Sequence, residues 1–310
     1  MRRSTSILTV LAISIGLLWA TNGVAKTPRL IENGRFTIDP VNINDIHISE
    51  LSGLAWDEDE KLLYAVSDKG RIFHFRLKLK GNDVMAIEPV YASPLGGNEE
   101  KAAKHRLDAE GLAVLNANNG KSNDTELVVV VEGATPRIIR FNPAGTMLGE
   151  IPAPPPLDEP DNYRGSNKAL ESVTYDAKYG LITAPELPLA NRPKDTHTVY
   201  ARDRHWSFAA HPVKDSRLKA LEMLPDGNLL VLERSFTGST KPLVVSLRYV
   251  NLAGCPVDGA CNVEDLAVFS EGLDNFEGLT HIGNNRFLIV SDHGKKDHRN
   301  TTFMLFTLQY

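Results

Sequence analysis

Apolar positions in this chain come in short runs, rich in β-branched and aromatic residues and broken by turn residues, and no long stretch carries the 3.6-residue period of an amphipathic helix. Five times a short strand opens at or near an acidic residue: SGLAW from Ser52, EGLAVL from Glu110, ESVTY from Glu171, EMLPDG from Glu222 and EGLTHI from Glu277. Each is followed by a second strand that closes on an acid: LLYAVSD at Asp68, LVVVVE at Glu132, LITAPE at Glu186, LLVLE at Glu233 and FLIVSD at Asp292. The second strand runs back antiparallel to the first, so the start of one and the end of the other share a rim. Nine carboxylates are thereby expected at one end of the fold, with Ser52 standing where a tenth would complete the set.

Repeats of roughly 45 to 60 residues, each holding several short strands, predict an all-β fold of the β-propeller type. The repeats fall at about 48–93, 107–153, 169–213, 217–271 and 275–310. Five blades is the expected count; six would follow if the N-terminal region and the stretch Val263–Phe269 hid a degenerate unit. The last repeat holds only three strands, and a spare β-like stretch at 30–38 is available to close it, which would remove exposed sheet edges. Loops on the acid-bearing rim, at 96–106, 153–168, 187–197 and 293–300, are mostly longer than those opposite, and long loops on a rigid scaffold carry recognition. The acidic turn 57–60 reads as a solvated hairpin, and Trp56, Trp206 and Tyr175 as packing between blades.

A basic start, an apolar run over residues 7–19 and small residues before Lys26 form a secretory signal over 1–25, leaving 26–310 as a single propeller domain that is periplasmic or secreted. The apolar run is too short for a stable membrane anchor, since a spanning helix needs about 20 residues. Removing two arginines takes the formal charge from −5 to −7. An acidic chain does not point to nucleic acid. In an oxidising compartment Cys255 and Cys261, close together in CPVDGAC, form a local disulfide.

So many carboxylates around one axis require either raised pKa values or cations. Oxygen donors without histidine or cysteine suit Ca²⁺, with Glu110, Glu171, Glu222 and Glu277 as its expected ligands. Against this stands pairing of each acid with a neighbouring base, Lys69, Lys168, Lys219 or Arg234. Lys69, Arg164, Arg234 and Lys295 are candidates to hold a small anionic substrate, with Arg106, His293 and Lys296 near them in the reading. Glu171, Glu277, Asp292 and His293 are the candidate catalytic groups, and His298 a further loop histidine. There is no G-x-S-x-G elbow, P-loop, H-E-x-x-H or dinucleotide glycine pattern.

The segments SELSGLAWD, DAEGLAV, ALESVTYD, ALEMLPDGNLLVLERSF and NFEGLTHIGNNRFLIVSDH resemble the secreted "esterase-like activity of phytase" family over nearly all of 48–310. The resemblance implies a β-propeller and an ester or phosphoester hydrolase, and it carries onto Glu110, Glu171, Glu222, Glu277 and Asp292. The chain departs from the pattern at Ser52 and lacks the aspartate clusters of the propeller phytases, so phytate is not the expected substrate. Two other readings remain at this stage: a non-catalytic binding propeller of the cell envelope, and a calcium-dependent lactonase.

Overall fold

The structure is a computed structural model and describes residues 27–80, 83–97, 107–236, 238, 243–256, 259–270, 274–292 and 299–310. Five four-stranded antiparallel sheets form the blades. Blade 1 comprises Leu51–Asp57, Leu62–Ser67, Arg71–Lys80 and Asp83–Pro94. Blade 2 comprises Asp108–Leu115, Glu126–Glu132, Arg137–Phe141 and Met147–Ile151. Blade 3 comprises Leu170–Asp176, Gly180–Pro185, Thr196–Tyr200 and His205–Ala209. Blade 4 comprises Ser216–Met223, Leu229–Ser235, Val244–Val250 and Val263–Phe269, so the last of these is an outer strand and not part of a sixth unit. In blade 5, Asn275–His281, Arg286–Asp292 and Thr301–Gln309 are joined by the N-terminal strand Arg29–Ile38, which pairs antiparallel with Thr301–Gln309.

The first strand of each blade packs against the first strand of the next, and the fifth meets the first, so the ring closes. The core follows from that geometry. Each pair of neighbouring blades shares one apolar cluster: Leu54, Phe73 and Phe75 meet Val290 and Phe303 between blades 1 and 5, and Tyr64 and Val66 meet Leu112 and Val129 between blades 1 and 2. Trp56 and Trp206 lie in such clusters, as their sequence context predicts. Tyr175 does not; it is 46% exposed at the rim opposite the acids. The Cys255–Cys261 disulfide is formed.

Close approach of adjacent first strands dictates small residues. A Cβ on Gly53 would lie 2.8 Å from the backbone nitrogen of Leu112, and one on Gly111 would lie 2.8 Å from the carbonyl oxygen of Glu171. Ser172, Ala220 and Gly278 occupy the same place in the other three blades.

The acidic turn of blade 1 is not a free hairpin. Buried Asp57 accepts the backbone N–H groups of Asp59 (3.0 Å) and Glu60 (2.9 Å) and the hydroxyl of Thr125 in blade 2 (2.5 Å). Asp59 accepts the N–H groups of Asn119 (2.7 Å) and Gly120 (3.1 Å), and Glu60 that of Asn123 (2.7 Å). The turn therefore clips the long 116–124 loop of the next blade. Asp57→Ala strands several buried donors and is expected to cost about 2–3 kcal/mol, read as a lower urea midpoint at unchanged slope. A shift worth less than about 0.5 kcal/mol would mean that water replaces the carboxylate at no cost.

Candidate active site

Each first strand slips register against the second near its start: at Ser52, at Glu110–Gly111, at Glu171, at Lys219 and at Glu277. A β-bulge of this kind re-aims the extra side chain. Here the five bulges put one residue per blade at the same rim. Oxygens of Glu110, Glu171 and Glu277 come within 4.8 Å of one another although they belong to blades 2, 3 and 5. Blade 4 contributes Lys219 to this ring, not Glu222. The ammonium of Lys219 pairs with Glu171 and stands 3.4 Å from Glu277 and 3.3 Å from Glu186. Ser52 turns aside, donating to the carbonyl oxygens of Ala109 (2.5 Å) and Val66 (3.3 Å) and so tying blade 1 to blade 2.

The sequence expectation for Glu222 is thus corrected by three residues. ALEML aligns by eye with ALESV, but the motif is set by the bulge residue, then a small residue, then an aliphatic one: Glu110-Gly111-Leu112, Glu171-Ser172-Val173, Glu277-Gly278-Leu279 and, in blade 4, Lys219-Ala220-Leu221. The alanine was the signal available. Glu222 lies further along the strand and lines a cavity at the other rim.

The acids that end the second strands divide into two groups. Glu186 accepts from Lys168 at 3.0 Å and Arg217 at 3.1 Å, with Lys219 and Arg234 close by. Glu233 is withdrawn into blade 4, where Arg248, Ser216 and the backbone N–H of His211 each donate at 2.8 Å and His197 lies at 3.3 Å. Among the described residues Glu132 accepts only the N–H of Ala169, at 2.7 Å, and it groups with Asp108 and Glu110, one oxygen of each within 4.8 Å of the others. Asp292 accepts from Asn275 at 2.9 Å. The candidate anion-binding residues are partly spent. Arg164 donates to the carbonyls of Pro188 (2.8 Å) and Arg192 (2.7 Å) and braces its own loop, while Lys69 pairs with Glu50 at 3.0 Å. Arg234 bonds Glu277 at 2.9 Å and also contacts Asn275, but among the described residues its buried Nε finds no acceptor. Arg106, His293, Lys295, Lys296 and His298 lie outside the described residues, as does the segment 1–25.

The family model described as phytase-like, esterase-like activity of phytase, matches residues 46–294. The chain belongs to this family. No curated protein sequence matches it. Solved structures similar to this phytase-like chain include the PQQ-bound aldose sugar dehydrogenase of Streptomyces coelicolor, at 10% identity and a TM-score of 0.46, covering 91% of this chain and 98% of that one. A gluconolactonase of Xanthomonas campestris is similar at 14% identity and a TM-score of 0.43, covering 92% of this chain and 96% of that one.

Electrostatics separate the carboxyls of the phytase-like rim. For Glu186, burial pushes the pKa up, but Lys219, Arg217 and Lys168 overrule it and hold the group at about 2. Glu233 is likewise held at about 2, burial being outweighed by His197 and Arg248. Burial raises Glu132 to about 7, the Ala169 N–H opposing this and the charges of Glu186 and Asp108 adding to it. Glu110 is pushed well above the usual carboxylate range by burial and then by Glu171. Glu171 is also raised by burial, against the pull of Lys219. The Lys219 ammonium survives burial because Glu171 and Glu277 surround it, and its pKa rises well above its ordinary value.

The two oxygen clusters differ as cation sites. Two oxygens each about 2.4 Å from one calcium ion stand no more than about 4.8 Å apart, and both clusters meet that bound. In Glu110–Glu171–Glu277, however, the Lys219 ammonium already supplies the positive charge. The Asp108–Glu110–Glu132 group shares Glu110 with the first and lies within the field of Lys219, but its three carboxylates of blade 2 make no direct pair with that ammonium and could hold a hard divalent ion.

Proposed function

We propose that this phytase-like propeller hydrolyses an ester or phosphoester of a small anionic substrate at its acidic rim, with a divalent cation, calcium by donor chemistry, held by Asp108 and Glu110 and with Glu132 beside them as the base. The observation that carries the reading is Glu132: a carboxyl beside two further acids, which burial raises to about 7 in the ion-free site and a neighbouring cation would bring down, is suited to take a proton from water near neutral pH. When bound, the cation would polarise the scissile group and acidify the attacking water. Arg234, with one donor unspent, orients the anionic part of the substrate. Lys219 pairs with Glu171 and stands 3.4 Å from Glu277, so these two act as framework for the site and not as its bases. The disulfide fits an oxidising compartment, and among the described residues no helix is long and apolar enough to cross a membrane. The secretory signal read from the sequence belongs to the same proposal.

The test is a panel of p-nitrophenyl acetate, p-nitrophenyl phosphate and gluconolactone, each with CaCl₂ or EDTA, beside a calorimetric titration of calcium. Expected is turnover of at least one aryl ester that EDTA abolishes and calcium restores. Turnover confined to gluconolactone would move the assignment to a lactonase. Absence of both calcium binding and turnover would leave a binding propeller.

A further inference from the structure

The rim opposite the acids holds a cavity of about 630 Å³, bounded by the far ends of the first strands and by the 116–119 loop. Its floor is apolar, with Leu54, Leu112 and Ala113, and Thr174, Thr280, Tyr175 and His281 stand around it. Three residues beyond each bulge comes a ring of equivalent positions: Ala55, Ala113, Thr174, Glu222 and Thr280. Two of them do one structural job. Thr174 accepts the backbone N–H of Met223 in the next blade at 3.2 Å, and Thr280 accepts that of Trp56 at 3.1 Å. Glu222 makes the corresponding bond with the backbone N–H of His281. A threonine suffices for that tie, so the larger carboxyl leaves an oxygen over, and among the described residues no Lys or Arg lines the cavity to meet it.

The other charges at this rim do not compensate Glu222. From blade 1, Glu58 lines the cavity and is bound to Lys61 and to the indole N–H of Trp56 (2.8 Å). From blade 5, His281 is held in its neutral form by burial and by the nearby Arg286, and its Nε2 has no partner. From blade 3, Tyr175 presents an exposed ring.

We propose that this cavity is a second ligand site, distinct from the acidic rim, and that it takes an organic ammonium ion, whose charge meets the spare oxygen of Glu222 while its carbon body covers the apolar floor. The pairing is of a kind that a half-buried carboxyl with an oxygen to spare over an apolar floor favours and that an anion or a neutral polyol does not satisfy. The 630 Å³ volume suits a small molecule and not a macromolecule.

Burial raises Glu222 to about 8, so near neutral pH the empty site is protonated and binding a cation must expel that proton. Calorimetry with benzylamine as probe and benzyl alcohol as its neutral counterpart tests this. Expected is binding of benzylammonium but not of the alcohol, with affinity rising about tenfold from pH 6 to 7 and levelling off beyond pH 8, and release of about one proton at pH 7 in buffers of different ionisation enthalpy. Glu222→Gln keeps the bond to His281 and is expected to weaken binding at least tenfold and remove its pH dependence. Equal binding of amine and alcohol, or amine binding without proton release by the unaltered protein, would overturn the proposal. So would failure to bind benzylamine at millimolar concentration. None of these readouts depends on hydrolysis at the other rim.

Discussion

Lys219→Met is expected to lower stability by about 3–5 kcal/mol near neutral pH, the cost of removing one partner from a buried ionic group. The ammonium is almost fully enclosed and touches or faces Glu171, Glu277 and Glu186, three acids from blades 3 and 5. Without it, Glu171 must take up a proton or stay charged in a desolvated place, while Glu277 keeps its pair with Arg234. The deficit should therefore shrink as pH falls from about 7 towards 5, since protonation then relieves it. A second substitution, Glu171→Gln, should restore much of the loss, which a double-mutant cycle by urea denaturation would read as coupling. A pH-independent loss with no coupling would mean that Lys219 acts through packing alone.

The unaltered protein should itself show an unusual pH profile. Glu132 and Glu222, raised to about 7 and about 8, bind protons more tightly folded than unfolded, so each takes stability away as pH climbs from about 4.5 to 8. Glu186 and Glu233, held at about 2, contribute stability above about 4.5 that disappears as pH falls through 2. The two trends cross near pH 4 to 5, which is where these four groups together favour folding most.

The ring was legible in the sequence because a propeller blade must begin with a buried, closely approaching strand, and the Glu-Gly-Leu and Glu-Ser-Val openings record that requirement directly. Gly53 and Gly111 leave no room for a Cβ, so the repeat is written in residue size as much as in charge. Charge alone misled in blade 4. Two residues there, Lys219 and Glu222, are candidates for one position, and only the small residue after Lys219 marks the bulge. The fate of the other acids was less legible. Whether an acid at a strand end is free or spent depends on side chains from other blades, such as Arg217 and Lys219 on Glu186, and those partners are 31 and 33 residues away along the chain. The grip of the 57–60 turn on the 116–124 loop is hidden for the same reason: its donors are backbone N–H groups, which every residue type supplies.

If the hydrolytic reading of the acidic rim holds, Glu132→Gln should lower kcat by about 10² to 10⁴ with little change in KM, the range expected for loss of a general base. The amide keeps a carbonyl oxygen to accept the Ala169 N–H, so the backbone between blades 2 and 3 stays supported and the change isolates the proton-accepting function. In the unaltered enzyme the rate should rise with pH along an acidic limb that follows ionisation of Glu132, lying below the ion-free value of about 7 because the bound cation favours the carboxylate, and this limb should vanish in the variant. Cation affinity should fall as well, because Glu132 is one of three carboxylates in its group. Saturating calcium therefore has to be present when kcat is compared, so that a binding defect is not read as a catalytic one. Should the acidic limb persist in Glu132→Gln at saturating calcium, another group takes the proton, and Glu110, whose carboxyl is raised by burial and by Glu171, becomes the one to replace next.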